Sequence, residues 1–134
     1  MGVDQIFAAS RFGLEFERLR LEAASHNIAV ANTPNAPGRP ARLLHAAVPY
    51  GVSFGATIGS SEPALVAIDA ESREVRDPSD PMADKNGMVS YPRIDLVEEM
   101  STLDEAGRAY EANVRAFNTL RSMALHSLDV GGGS

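Results

Sequence analysis

Apolar residues recur at helical spacing at both ends of the chain, whereas the middle breaks into short runs. Toward the C-terminus, Leu96, Met100, Leu103, Tyr110, Val114, Phe117, Ala124 and Leu128 follow steps of four and three, interrupted only at Gly107 and Arg121. A series of this kind over about four heptads is the seam of a coiled-coil-type helix. Asp95 stands at the N-cap position with Glu98 three residues on, in the manner of a capping box. The pattern predicts a helix from there to about Leu128, about 33 residues and roughly 50 Å long. Asp129–Ser134 reads as a flexible tail.

The N-terminal end predicts a second long helix, capped by Asp4 and running to about Ala31. At 100° per residue, Phe7, Leu14, Leu21 and Ile28 fall on one side, and Phe12, Phe16, Leu19, Ala23 and Val30 fall nearly opposite. Arg11, Glu15, Arg18 and Glu22 lie between, as two Arg-to-Glu pairs four apart, each worth a few tenths of a kcal/mol. An ordinary surface helix shows one apolar stripe. Two opposed stripes require two partners. One is the chain's own last helix; the other is either a second layer of the same domain or a neighbouring molecule. Phe12, Phe16 and Leu19 are expected to meet neighbours, and Phe7, Leu14, Leu21 and Ile28 the last helix, although the reverse assignment is equally compatible with the pattern.

Between the helices, Asn32–Pro40 carries three prolines and a glycine and reads as an extended, mobile loop. Val48–Val52, Phe54–Ile58, Leu65–Ile68 and Met88–Tyr91 read as short strands, with Arg73–Arg76 as an edge strand. Asn86–Gly87 suits a type I′ hairpin turn. The expected fold is therefore mainly α with a small β insertion. Residues 1–33 and 95–130 would pair as a coiled-coil-like hairpin and form an assembly core, and residues 34–94 would form a loop and a small β-rich module.

Composition narrows the function. A length of 134 residues suits one domain, and 44% hydrophobic content suits a folded one. A net charge of -6 and a pI near 5.0 disfavour nucleic acid as a partner, and the chain lacks a basic run for anionic lipid. Without cysteine there is no disulfide framework, thiolate metal site or thiol nucleophile. No apolar run is long enough for direct membrane insertion, and Asp4, Arg11, Glu15 and Glu17 break up any secretory signal.

Catalytic chemistry is sparse, and no catalytic, cofactor-binding or metal residue is assigned. His26, His45 and His126 are scattered and read as structural or exposed. Asp84–Gly87 is not a calcium loop, because Met82 and Arg93 would hold ligand positions. No Gly-x-Ser-x-Gly elbow or phosphate-binding loop is present. Asn113 and Asn118 lower the propensity of the last helix; they either face water or set the register of a helix interface. Gly107 weakens the same helix but permits close backbone approach.

Several motifs together resemble a family. Glu99–Met100, Arg108–Val114, Phe117–Thr119 and Ser122–Met123 look like the C-terminal signature of flagellar basal-body rod and hook proteins. Leu19–Thr33 is similar to the N-terminal helix of that family and its Ala-Asn-Thr exit. Asp77–Val89, followed by Tyr91–Pro92, resembles the FlgC-type proximal-rod branch, which the short chain also suits. The chain departs from the family at Pro92-Arg93-Ile94, where relatives often carry Asn, and residues 41–76 match no family motif. The resemblance implies a non-enzymatic structural subunit of the rod, without cofactors. It would leave the cell through the flagellar type III export apparatus without signal cleavage, and would polymerise through its terminal helices into a torque-transmitting tube across the periplasm. Its partners would be copies of itself and other rod subunits. Assembly contacts are expected at Phe7, Phe12, Leu14, Phe16, Leu19, Leu21, Ile28, Met100, Leu103, Tyr110, Asn113, Val114, Phe117, Asn118 and Leu128. A cytoplasmic helical adaptor or export chaperone is the alternative; a small enzyme would need converging titratable groups, which the sequence does not show.

Overall fold

In a computed structural model that describes residues 2–48 and 62–133, the elements are α1 (Val3–Val30), β1 (Arg42–Ala47), β2 (Ala64–Asp69), β3 (Ser72–Arg76), β4 (Met88–Pro92) and α2 (Leu96–Gly131). The mainly helical architecture with a small β insertion is the one expected. The Asp95 side chain caps α2 by accepting hydrogen bonds from the backbone N–H groups of Val97 at 3.0 Å and Glu98 at 3.2 Å. Two of the first-turn donors are thereby satisfied. α2 does not stop at Leu128. Its 36 residues run to Gly131, about 54 Å, so Asp129–Gly131 are helix and not tail. α1 starts one residue before Asp4. Gly2 is the N-cap and offers no side-chain bond, and Asp4 sits inside the first turn, where its charge meets the positive end of the helix dipole.

The helices pair antiparallel. Phe7 meets Phe117 edge-on, with ring centroids 5.4 Å apart, and Asn27 meets Glu99 at the other end. The covered line of α2 runs Glu99, Leu103, Ala106, Tyr110, Asn113, Phe117, Leu120, Ala124, in unbroken steps of four and three. Leu103, Tyr110, Phe117 and Ala124 hold their expected positions. The alternate positions are shifted one residue toward the N-terminus. Ala106 is fully buried, and Met100 turns outward at 55% exposure. Hydrophobicity alone favours Met100 over Glu99, but Glu99 is drawn inward by its hydrogen bond to Asn27. At Gly107 an added Cβ would meet Leu21 at an ordinary 3.9 Å, so the packing does not demand glycine there.

The strands form two antiparallel pairs among the described residues, β1 with β2 and β3 with β4. β2, β3 and β4 are the expected strands at Leu65, Arg73 and Met88, each extended by one or two residues. β1 falls within the expected β-rich module but outside the runs expected as its strands. The expected strands Val48–Val52 and Phe54–Ile58 lie, except for Val48, outside the described residues; Val48 is irregular. The β3–β4 connection is not a two-residue type I′ turn. That turn needs a positive φ at both central residues, and here only Gly87 has one, at 75°. Instead, the Asp84 side chain accepts from the N–H groups of Asn86 and Met88, and the Gly87 N–H bonds to the Asp84 carbonyl. The proline-rich stretch is not a free loop either. The Asn35 N–H donates to the Ser90 carbonyl at 2.7 Å, which ties the stretch to β4, and Asn35 is buried.

Candidate functional site: the two ends of the helical hairpin

At one end the hairpin is closed by three elements. Along α1, Leu19, Ala23, Asn27 and Ala31 recur every four residues, and all four are buried. The two alanines let the chain pack closely over this row, and Ala24 beside it is buried as well. Asn27, only 1% exposed, is fully engaged. Its Oδ1 accepts from the Leu44 N–H at 2.9 Å, and its Nδ2 donates to the Leu44 carbonyl at 3.0 Å and to Glu99 Oε1 at 3.1 Å. One side chain thus joins α1, β1 and α2. His26 adds a second link, with Nε2 3.0 Å from the Arg42 carbonyl oxygen, to which it donates. Sequence reasoning missed Asn27. The signal was a polar residue at four-residue spacing within a row of Leu and Ala.

Toward the other end the cover thins. Phe7, Leu14 and Leu21 are half-buried beside α2, as is Ile28 nearer the closed end; Phe12 and Phe16 are half-buried on the opposite stripe. Leu19, from that opposite stripe, is covered by its own chain at 6% exposure. On α2, Leu103, Tyr110, Val114 and Phe117 are half-buried and Asn118 is exposed. Asn113 faces Gly13, where a Cβ would come within 3.3 Å of its side-chain nitrogen. The contacts at Phe7–Phe117, Gly13–Asn113 and Asn27–Glu99 set the register. In that register α1 ends near Arg121, so about ten residues of α2, roughly 15 Å, extend past it. Met123, Leu125, Leu128 and Val130 are exposed there, Leu128 at 72% and Val130 at 81%.

Surface charge supports α1 without defining a site. Arg18 bonds Glu15 at 2.6 Å and Glu22 at 3.3 Å, so Glu15 pairs with Arg18, three residues on, and not with Arg11. The Arg18 hydrogen bond holds the Glu15 carboxyl below its ordinary pKa. Arg20 bridges Glu17 on α1 and approaches Glu105 on α2 at 3.7 Å. The exposed Arg18 pairs contribute little.

Among the described residues no three His, Cys, Asp or Glu side chains are grouped to hold a metal, and no helix is long and apolar enough to cross a membrane. An open cleft of about 250 Å³ lies over one face of β3–β4, lined by Asn35, Glu74, Met82, Asp84 and Ser90 among others. Ser72 and Ser90 line it too, and neither hydroxyl bonds the Glu74 or Asp84 carboxylate.

Residues 85–129 match the family model described as flagellar basal body rod FlgEFG protein C-terminal. The chain is 33% identical to the flagellar basal-body rod protein FlgC of Salmonella typhimurium over 133 residues, which cover 98% of this chain and 99% of that protein. The chain belongs to the FlgC family of flagellar basal-body rod proteins. FlgC of Agrobacterium fabrum is 31% identical over 96% of both chains. FlgC of Bacillus subtilis is 28% identical over 91% of this chain and 93% of its own. The alignment with FlgC runs the length of the chain and so includes residues 41–76, for which no family motif had been legible.

Proposed function

We propose that this FlgC-family chain is a structural, non-enzymatic subunit of the flagellar basal-body rod that polymerises through its terminal helices and passes torque along the resulting tube. The near full-length similarity to rod proteins carries the reading. The hairpin supports it physically. Apolar side chains of both helices are left half-covered or bare by the single chain, and apolar surface of this kind on a soluble protein is an association surface. The proposed contacts are Phe12 and Phe16 on α1 and Met100, Asn118 and Leu128 on α2, with Phe7, Leu14, Leu21, Ile28, Leu103, Tyr110, Asn113, Val114 and Phe117 forming the seam that presents them. Leu19 supports the stripe from beneath. Residues 1–33 and 95–130 would act as the assembly core and residues 34–94 as a module on its flank.

Other rod subunits and further copies of this chain would be the partners, in the periplasm-spanning part of the basal body, after export through the flagellar type III apparatus. The test is the location of the chain. It should co-purify with detergent-extracted basal bodies in fixed proportion to other rod proteins. Recovery only from the cytosol as a discrete dimer would support an adaptor or chaperone and overturn the rod reading.

A further inference from the structure

The cleft over β3–β4 is lined by the one side chain that, among the described residues, has a buried polar atom without a partner. Asn35 is 8% exposed, and its Nδ2 makes no hydrogen bond among the described residues. Its main chain is fixed, because the Asn35 N–H donates to the Ser90 carbonyl at 2.7 Å. A buried donor of this kind ordinarily meets an acceptor. Glu74 and Ser90 stand opposite one another in the β3–β4 register, and Asp84 comes in from the connection between the strands. Neither carboxylate has an ion pair among the described residues. Asp84 uses Oδ1 to hold its own loop, through the N–H groups of Asn86 and Met88. No lysine or arginine lines the cleft, and Met82, Met88 and Pro37 supply its apolar surface. The cleft therefore holds carboxylates that lack a cation and a donor that lacks an acceptor.

We propose that the cleft binds an arginine side chain carried on an extended segment of a partner protein, with the guanidinium against Glu74 and Asp84 and a main-chain carbonyl of the segment accepting from Asn35 Nδ2. Charge selects a cation. A guanidinium carries five N–H donors in a planar fork, and the carboxylates of Glu74 and Asp84 with the hydroxyls of Ser72 and Ser90 supply the acceptors. The methylene stem has Met82 and Met88 to lie against. Neither a guanidinium nor an ammonium offers an acceptor, so a bare cation leaves Asn35 Nδ2 unpaired, whereas a peptide bond brings the missing carbonyl. At about 250 Å³ the cleft is smaller than the usual pocket for a drug-sized ligand, roughly 300–1,000 Å³, and suits one side chain with its adjoining main chain. No residue of α1 or α2 lines it. The inference does not rest on the rod reading, and it gives the β module a recognition site of its own.

The isotope-labelled full chain is titrated with the capped tripeptide acetyl-Gly-Arg-Gly-amide and followed by NMR. Saturable shifts are expected at the Asn35 side-chain amide and at the backbone amides of Glu74 and Ser90, with a dissociation constant of about 1–10 mM for so short a segment. The same peptide with citrulline in place of arginine keeps the shape and loses the charge, and it should bind at least about tenfold more weakly. Guanidinium chloride should shift the Glu74 amide and leave the Asn35 side chain where it was. Glu74→Gln, at an exposed position where the fold does not depend on the carboxylate, should weaken the arginine peptide at least about threefold. No saturation by about 50 mM peptide would overturn the site. So would shifts centred away from the cleft, or an affinity that Glu74→Gln does not change. Equal binding of the citrulline peptide, or of the matching lysine peptide, would overturn arginine as the occupant. A shift of the Asn35 side chain by guanidinium alone, as large as that by the peptide, would overturn the main-chain contact.

Discussion

The closed end of the hairpin and its open end are built from the same two helices, yet one satisfies itself and the other does not. At the closed end the chain supplies a third element, β1, bonded to α1 at His26 and Asn27 where the Leu19–Ala23–Asn27–Ala31 row is buried, and Asn27 spends every polar atom on it and on Glu99. At the open end no third element arrives among the described residues, and α2 continues alone past α1. Burial at roughly 25 cal/mol per Å² therefore accrues at one end and is left unused at the other. The closed end covers its own polar and apolar groups; the open end leaves Met123, Leu125, Leu128 and Val130 exposed.

The largest effect is expected from Phe117→Asp. The substitution puts a carboxylate edge-on to Phe7 in the seam, where an unpaired charge is disfavoured by several kcal/mol once assembly excludes water. Cells carrying it should be non-motile, and the variant should be absent from basal bodies. Normal swimming would place Phe117 on a solvated face. Asn27→Leu comes next. It removes three hydrogen bonds and leaves the Leu44 N–H and carbonyl without their partner in a buried site, a loss of about 2–3 kcal/mol in the unfolding of the full chain. A loss below about 0.5 kcal/mol in denaturant titration would mean that water reaches Leu44 and that this end is not closed. Leu128→Ser should do the reverse: less than about 0.5 kcal/mol of change in the free chain, with reduced incorporation into rods.

How much of this was legible in the sequence follows from what each end uses. Leu103, Tyr110, Phe117 and Ala124 are apolar and were placed by spacing alone. Glu99 occupies the same seam and was not, because a hydrophobic pattern does not register a polar residue turned inward by a specific partner; Asn113 was expected either to face water or to set the register, and it lies against Gly13. Asn27 escaped for the same reason, and its partner Leu44 lies in a strand that no turn or alternation signal announced. The exit of α2 past Leu128 was misplaced because glycines 131–133 and the loss of apolar spacing read as a tail, while helical hydrogen bonding continued to Gly131. Charge pairs were half right: Arg18–Glu22 formed, and Glu15 chose Arg18, three residues on, over Arg11. The family resemblance covered both helices and the β4 approach. It could not show that the helices are of unequal reach, which depends on their register.

The smallest effect belongs to the loop before β4. The hydroxyl and N–H of Ser79 both bond Asp77 Oδ1, and they hold the Asp77 carboxyl below its ordinary value of 3.8. A lowered carboxyl contributes stability that is fully present above the unfolded value and is lost as pH falls through the folded one. Neutral pH should therefore show no effect of Asp77 titration. Below about pH 4 the loop amides of Ser79 and Asp80 should lose protection before those of the closed end. A midpoint for Asp77 at or above 3.8, read by side-chain NMR, would contradict the Ser79 bonds.

Residue-resolved hydrogen exchange on the free chain and on the assembled rod tests the difference between the two ends most directly. In the free chain, amides of Leu19–Val30 and of α2 up to about Tyr110 should be strongly protected, while those of Val3–Gly13 and of α2 beyond Phe117 exchange rapidly. On assembly the open end should gain protection by at least a hundredfold and the closed end should change little. Equal protection at both ends in the free chain, with no further gain in the rod, would contradict the account.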